Sequence, residues 1–265
     1  MNVNKITIYG GYGKDGIAEP VKEFSMEVGN IVSIVGPTGC GKTTLINDIE
    51  LFADQNTPSG RRVSINDEPV PEDIIFDPSH HPIALISQHT NFLSDLPVEE
   101  FLTIHAKVRG SKDVDSVIQE TLDFANELTG EAIIKDIGMT ELSGGQTRSL
   151  LIADAVVIGN SPIILLDEIE NAGIHRTKAL ELLKRYRKIF VFVTHDPCIA
   201  LMSDFRIVMR NGAMQQLIPT RQEEKNVVRK MKQIDDMMLD FRQLIRSGDE
   251  LTESVFNKSF SVLTF

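Results

Sequence analysis

Three stretches of this chain carry residue types suited to chemistry on a phosphate group. The first is Gly36-Pro37-Thr38-Gly39-Cys40-Gly41-Lys42-Thr43-Thr44, which follows the apolar run 31–35 and precedes Leu45-Ile46-Asn47-Asp48. It therefore reads as strand, glycine-rich turn and helix. Glycines let a backbone wrap an anion closely, and a helix start turns free N–H groups and its positive dipole end toward it. In that setting Lys42 reaches the β- and γ-phosphates, and the hydroxyl of Thr43 is a ligand for Mg²⁺. The second stretch is Pro162-Ile163-Ile164-Leu165-Leu166-Asp167-Glu168. Apolar residues on both faces mark a central strand of a mostly parallel sheet, with the two acids at its ligand-binding end. Adjacent carboxylates repel unless their tasks differ: Asp167 suits the Mg²⁺ sphere, and Glu168 suits polarisation of an attacking water. The third is Ile189-Phe190-Val191-Phe192-Val193, followed by Thr194-His195-Asp196. A strand end there puts His195 within reach of a γ-phosphate.

Positioning these residues takes an open α/β sheet. Ile83-Ala84-Leu85-Ile86-Ser87 is a further apolar strand, and Gln88 ends it on the same side. Lys5–Tyr9 opens the chain as a strand, and Gly10–Gly16 follows as a flexible glycine-rich stretch. Phe24–Val28 alternates as a half-exposed strand does, and Gly29-Asn30 is expected to turn it into the phosphate-loop strand. Arg62–Ile65 with Asn66-Asp67 predicts a short hairpin region, and Asn211-Gly212 predicts a second one that finishes the sheet. Tyr9 and Tyr12 both precede the phosphate loop, and either ring can stack on a purine.

From about Leu96 to Leu142 the apolar spacing becomes helical, which marks an inserted helical segment. It exits through Leu142-Ser143-Gly144-Gly145-Gln146 into a largely buried helix. Ser143 is a good N-cap, and the glycines leave N–H groups uncovered, so this is a second anion-binding helix start. One site has little local use for two. Beyond Pro219 the chain becomes highly charged, with Val227, Met231, Ile234, Met238, Phe241 and Ile245 forming one apolar stripe. That stripe predicts a helix packed on the protein's own core or against a dimer mate or partner.

The chain has 265 residues, enough for a substantial core, with one domain plus a subdomain favoured over two independent units. Its net charge of −11 argues against general nucleic-acid binding, which needs clustered Lys and Arg. Two distant cysteines, Cys40 and Cys198, match no metal spacing and point to a reducing compartment. The start at Met1 shows no signal-peptide pattern, and no apolar run is long enough to cross a bilayer, so a soluble cytoplasmic chain is expected.

The order of these motifs resembles the ATP-binding cassette (ABC) ATPases, and in particular a single nucleotide-binding domain. The matching features are a Walker A loop at Gly36–Thr44, a Q-loop glutamine at Gln88, an LSGGQ signature at Leu142–Gln146, a Walker B end at Asp167-Glu168 and a switch histidine at His195. LSGGQ is far more specific than a phosphate loop. The resemblance covers residues 1–218, with the helical subdomain at about 90–150, and leaves 219–265 as a C-terminal helical extension. It implies an α/β P-loop NTPase fold: a mostly parallel central sheet, an antiparallel β subdomain, and an α-helical subdomain carrying the signature. It also implies Mg²⁺-dependent ATP hydrolysis between two copies paired head to tail.

In that arrangement each ATP lies between the phosphate loop of one copy and Ser143, Gly144 and Gly145 of the other. By the same implication Gln88 senses Mg²⁺ and the nucleophilic water, Glu168 is the catalytic carboxylate, and His195 stabilises the γ-phosphate. Tyr12, whose spacing fits slightly better than that of Tyr9, stacks on adenine. Three segments depart from the family pattern: Thr147-Arg148-Ser149 after the signature, Asp154 where arginine is usual, and Ile169–His175, which lacks the usual Pro-Thr-Ser-Ala-Leu-Asp. The last departure bears on how two sites would communicate. The resemblance leaves two roles: the ATPase subunit of a membrane transporter, cytoplasmic or peripheral on the inner membrane face and gripping a transmembrane partner, or a soluble ATPase that remodels a protein client.

Overall fold

The computed structural model describes residues 3–76, 81–87, 89–129, 132–168 and 176–261. Gln88 and Ile169–His175 lie outside the described residues. The chain forms two compact units, Met1–Pro219 and Thr220–Phe265.

Among the described residues the first unit holds two sheets. The antiparallel one has the order β2 (Glu23–Glu27), β1 (Lys5–Tyr9), β4 (Arg62–Ile65), β5 (Glu68–Pro69). The larger one has the order β10 (Ala213–Pro219), β9 (Phe205–Arg210), β3 (Ile31–Val35), β8 (Ile189–Val193), β7 (Ile163–Asp167), β6 (Ile83–Ile86). All its neighbouring pairs are parallel except β9 with β10. The expected turn at Gly29-Asn30 carries the chain from β2 into β3, with Asn30 N–H donating to the Glu27 carbonyl at 2.9 Å, and it links the two sheets, since β2 pairs with β1 and β3 lies in the other. Phe24 and Met26 of β2 lie beside Ile8 and Ile6 of β1 and are buried. The Asn66-Asp67 turn does join β4 to β5, with both residues at positive φ, 52° and 65°.

β7 shows why its sequence is apolar on both faces. Ile164 and Leu166 enter a core shared with the helical segment, while Ile163 and Leu165 enter a second core beneath the antiparallel sheet. Phe190 and Phe192 of β8 join the first core, and Val191 and Val193 the second. A parallel strand covered on both sides has no polar face to offer. The second core also takes Leu45, Ile46 and Ile49 of α1 (Lys42–Glu50), the helix that follows the phosphate loop.

The helical segment comprises α3 (Val98–Val108), α4 (Val114–Thr129) and α5 (Gly144–Val156), preceded by a short α2 (Glu72–Phe76). Its last helix runs to Val156, and Ile152, Ala153 and Val156 are buried in the first core. α6 (Arg176–Leu183) and α7 (Pro197–Met202) complete the unit.

The second unit consists of α8 (Gln222–Arg246) and α9 (Glu253–Ser261). Phe241 of α8 stacks on Phe256 of α9 at 5.7 Å, and Phe256 on Phe260 at 5.4 Å. The expected stripe is not uniformly packed: Phe241 is buried, whereas Val227, Ile234, Met238 and Ile245 are exposed. No helix among the described residues is long and apolar enough to cross a membrane.

Candidate functional site

Three strand ends meet at one cavity of about 260 Å³. The turn after β3 contributes Thr38, Gly39, Gly41, Lys42, Thr43 and Thr44, β7 contributes Asp167 and Glu168, and β8 contributes Val193 and His195. This is the carboxyl edge of a parallel sheet, where open α/β folds bind ligands. Sequence spacing anticipated each of these residues except Val193 and Lys14, which also lines the cavity.

The phosphate loop is shaped by close approach. A Cβ on Gly36 would lie 2.4 Å from the Met209 carbonyl oxygen and 2.7 Å from Cys40 Sγ, and one on Gly41 would lie 2.9 Å from Gly212 Cα. Gly41 also has φ 100° and is the N-cap of α1, which no side chain caps. The first N–H groups of a helix have no intrahelical partner, so this start offers donors and positive potential to an anion. Pro37 is exposed at the mouth of the loop, while Cys40 is buried beneath it.

Lys42 Nζ donates to the carbonyls of Gly36, at 3.0 Å, and Pro37, at 3.3 Å, and lies 3.1 Å from His195 Nε2. His195 Nε2 is in turn 3.8 Å from Glu168 Oε1. Lysine, histidine and glutamate thus form one chain of side chains across the cavity. Glu168 has a left-handed backbone, φ 52°, held by its N–H donating to the Val193 carbonyl at 3.0 Å. That conformation is uncommon for a residue with a Cβ, and here it sets the direction of the carboxylate at the strand end.

Behind the loop lies a buried charge network that sequence reading did not reveal. Arg61 is fully buried and donates to Glu19 Oε1 at 2.6 Å, Glu19 Oε2 at 3.1 Å, Asp48 Oδ2 at 2.8 Å and the Gly212 carbonyl at 2.7 Å. Glu19 also accepts from the N–H groups of Gly11 and Met214, and Asp48 from Ser59 Oγ. Burial by itself would lower the pKa of this guanidinium, but the bonds and charge of Glu19, then Asp48, turn the net shift upward. Gly212 N–H donates to the Cys40 carbonyl at 2.8 Å, so the network ends on the phosphate loop itself. The Gly10–Gly16 stretch, expected to be flexible, is tied into the same place. Tyr12 N–H donates to Ser59, and Lys14 N–H to Asn211. Tyr12 is 55% exposed with its ring against Gly60, whereas the Tyr9 ring is already covered by the Arg62 guanidinium at 4.2 Å.

Ser143 caps α5 as expected, and the cap is reciprocal. Ser143 Oγ accepts from Gln146 N–H at 3.3 Å, and Gln146 Oε1 accepts from Ser143 N–H at 3.0 Å. Ser143 and Gly144 are exposed, and a Cβ on Gly144 would touch nothing within 4 Å. None of Ser143, Gly144, Gly145 or Gln146 lines the cavity at the phosphate loop. The atypical Asp154 has a partner in α3: its Oδ1 lies 2.7 Å from His105 Nδ1, and Arg109 Nε donates to His105 Nε2 at 3.3 Å.

The residues present suit a nucleotide and Mg²⁺. The loop is a cradle that a Cβ at Gly36 or Gly41 would fill, with a lysine in it and a hydroxyl and a carboxylate on its rim. Among the described residues no group of three or more His, Cys, Asp or Glu could hold a metal alone. Mg²⁺ asks for less, since it takes one or two protein ligands and completes its shell with phosphates and water.

A parallel sheet with a phosphate loop after one strand and acids after another defines a P-loop nucleoside triphosphatase. The profile of the ABC transporter family matches residues 21–171, and the chain belongs to that family, as an ATP-hydrolysing cassette ATPase. It is 52% identical over 252 residues to an uncharacterised ABC transporter ATP-binding protein of Methanocaldococcus jannaschii, covering 95% of this chain and 96% of that one. It is 30% identical to the spermidine/putrescine import ATP-binding protein PotA of Legionella pneumophila, covering 79% of this chain and 57% of that relative. A dimeric ATP-binding cassette solved in a post-hydrolysis state with ADP and Pi matches with TM-score 0.62 and 25% identity, over 82% of this chain and 99% of that one. CbiO1 of Clostridium perfringens, part of the transporter complex cbiONQ, shares the fold with TM-score 0.61 and 22% identity, over 87% of this chain and 94% of that one.

Proposed function

We propose that this chain is the ATP-binding subunit of a membrane transporter, residing at the inner membrane face, and that it hydrolyses ATP with Mg²⁺ in a head-to-tail pair of copies. The observation that carries the catalytic part is the convergence of Lys42, Thr43, Asp167, Glu168 and His195 on one cavity. The transport role is supported by the relatives, which are named as transporter ATP-binding proteins.

Lys42 exchanges the Gly36 and Pro37 carbonyls for β- and γ-phosphate oxygens, joined by the N–H groups from Gly39 to Thr44. Thr43, Gln88 and Asp167 would hold Mg²⁺, and the ion bound there would neutralise charge on the phosphates. Glu168 takes the proton of the attacking water as its oxygen bonds to the γ-phosphorus and the bond to ADP breaks. His195 donates to the γ-phosphate. Tyr12, exposed at the end of its loop, stacks on adenine. The exposed start of α5, Ser143 to Gln146, closes over the nucleotide of the partner copy. Residues 1–218 form the nucleotide-binding domain and 219–265 an extension.

The test is the purified Glu168→Gln variant. It is expected to lose hydrolysis by at least about 10²-fold, the scale of a positioned general base, while ATP converts it to a dimer by light scattering. A monomer at saturating ATP that hydrolyses at the wild-type rate overturns this reading. Pull-down of the trapped form from native membranes is expected to recover a multi-spanning protein. Recovery of soluble enzyme subunits instead replaces transport with remodelling.

A further inference from the structure

Lys14 is the one lysine besides Lys42 among the cavity-lining residues. Its backbone is fixed: its N–H donates to the Asn211 carbonyl at 2.8 Å, and its Cγ packs so closely on Gly212 that a Cβ there would come within 2.8 Å of it. Only the far end of the side chain is free to choose partners. Its Nζ donates to the carbonyl of Gly39, at 2.8 Å, in the middle of the phosphate loop. Lys42 is held in the same way, by the carbonyls of Gly36 and Pro37. Both basic groups therefore rest on neutral acceptors of the loop that is built to receive an anion. An ionised phosphate oxygen attracts an ammonium group by charge as well as by hydrogen bonding, more strongly than a neutral carbonyl does, so an arriving polyphosphate draws both away.

We propose that Lys14 is a second nucleotide-binding cation, which leaves the Gly39 carbonyl and pairs with the phosphates of the bound nucleotide. This deepens the nucleotide reading above and rests on it. Two consequences follow from the chemistry. Lys14 contributes to ATP and ADP affinity but not to adenosine affinity, because it recognises charge. Its departure also frees the Gly39 carbonyl.

Equilibrium binding of ATP, ADP and adenosine to the full chain, at low and high salt, decides the matter. Lys14→Met keeps the aliphatic packing on Gly212 and removes the charge; Lys14→Arg keeps the charge. Lys14→Met is expected to weaken ATP and ADP about tenfold, to leave adenosine unchanged and to flatten the salt dependence, while Lys14→Arg stays within about threefold of wild type. An ATP affinity for Lys14→Met within about twofold of wild type overturns the inference, as does an equal loss for ATP and adenosine, which marks a purely structural brace. Lys42→Ala is the control. If it loses ATP while Lys14→Met does not, only this inference fails; if the wild-type chain binds no ATP, the nucleotide reading itself fails.

Discussion

Among the described residues two helix starts suit anions, and they are built in opposite ways. At α1 the N-cap is Gly41, in a left-handed conformation with no side chain to cap the helix, and the loop is held from outside by Gly212 and, through it, by the buried Arg61. At α5 the N-cap is Ser143, and Ser143 and Gln146 satisfy each other's backbone N–H groups. One start is open and braced by distant parts of the chain. The other is closed on itself, exposed, and braced locally. An open start offers its helix N–H groups directly, because no side chain caps them. A closed start gives up its own hydrogen bonds before offering those donors to a ligand, which suits a surface that is engaged only when a partner arrives.

The strongest way to break this contrast is to remove the brace. Arg61→Ala leaves Glu19 and Asp48 buried and unpaired, and the expected cost is about 3–5 kcal/mol in urea unfolding. Weakened ATP binding should accompany it, because Gly212 loses the bond that holds it. Stability within about 1 kcal/mol of wild type would show that the loop does not depend on its rear support.

A milder test removes the local cap. Ser143→Ala is expected to cost about 1 kcal/mol and to leave ATP binding by the monomer unchanged. If the α5 start serves the nucleotide of a partner, the ATP-driven dimer of the Glu168→Gln background weakens in the double variant. Unchanged dimerisation would reduce the signature to an ordinary capped turn.

A third effect sharpens the contrast at the opposite end of the sheet. Lys188 is buried, its Nζ donates to Asn160 Oδ1 and the Ser161 carbonyl, and burial lowers its pKa from 10.5 to about 8. Between those values the unfolded chain holds the proton more strongly than the folded one, so stability rises with pH across that window. Below about 8 the full cost of burying the cation is present, and above 10.5 neither state carries it. Lys188→Met should lack the rise while binding ATP normally. A parallel pH profile in wild type and variant would exclude Lys188 as its source.

These features differ in how far the sequence disclosed them. Lys42, Thr43, Asp167, Glu168 and His195 were legible because each sits at the end of an apolar strand, and strand ends on one edge of a parallel sheet converge whatever the rest of the chain does. The reciprocal cap at Ser143 was half legible: the cap residue was plain, but the closure by Gln146 depends on a side-chain rotamer. Arg61, Glu19 and Asp48 were not legible. They lie in three separate segments, and a buried charge looks like a solvated one until its partners are placed. Lys14 was passed over for the neighbouring Tyr12 because a lysine in a glycine-rich loop has no spacing signature. The partner of β2 was not legible, because alternation reports a half-buried strand and says nothing about which strand pairs with it. Asp154 was visible as a departure from the family pattern, but its partner His105 lies on a different helix, 49 residues earlier.

The Arg61 network also bears on modularity. Four pieces of chain meet there: the loop from Gly11 to Glu19, helix α1 through Asp48, the segment from Ser59 to Arg61, and the β9–β10 turn. The antiparallel sheet is consequently no independent cartridge. A graft of it from a relative must bring its own glutamate and arginine and find a matching aspartate waiting in the recipient's first helix; otherwise a charge is stranded directly behind the phosphate loop. Recombination between cassettes is thus constrained at this junction by electroneutrality as well as by shape.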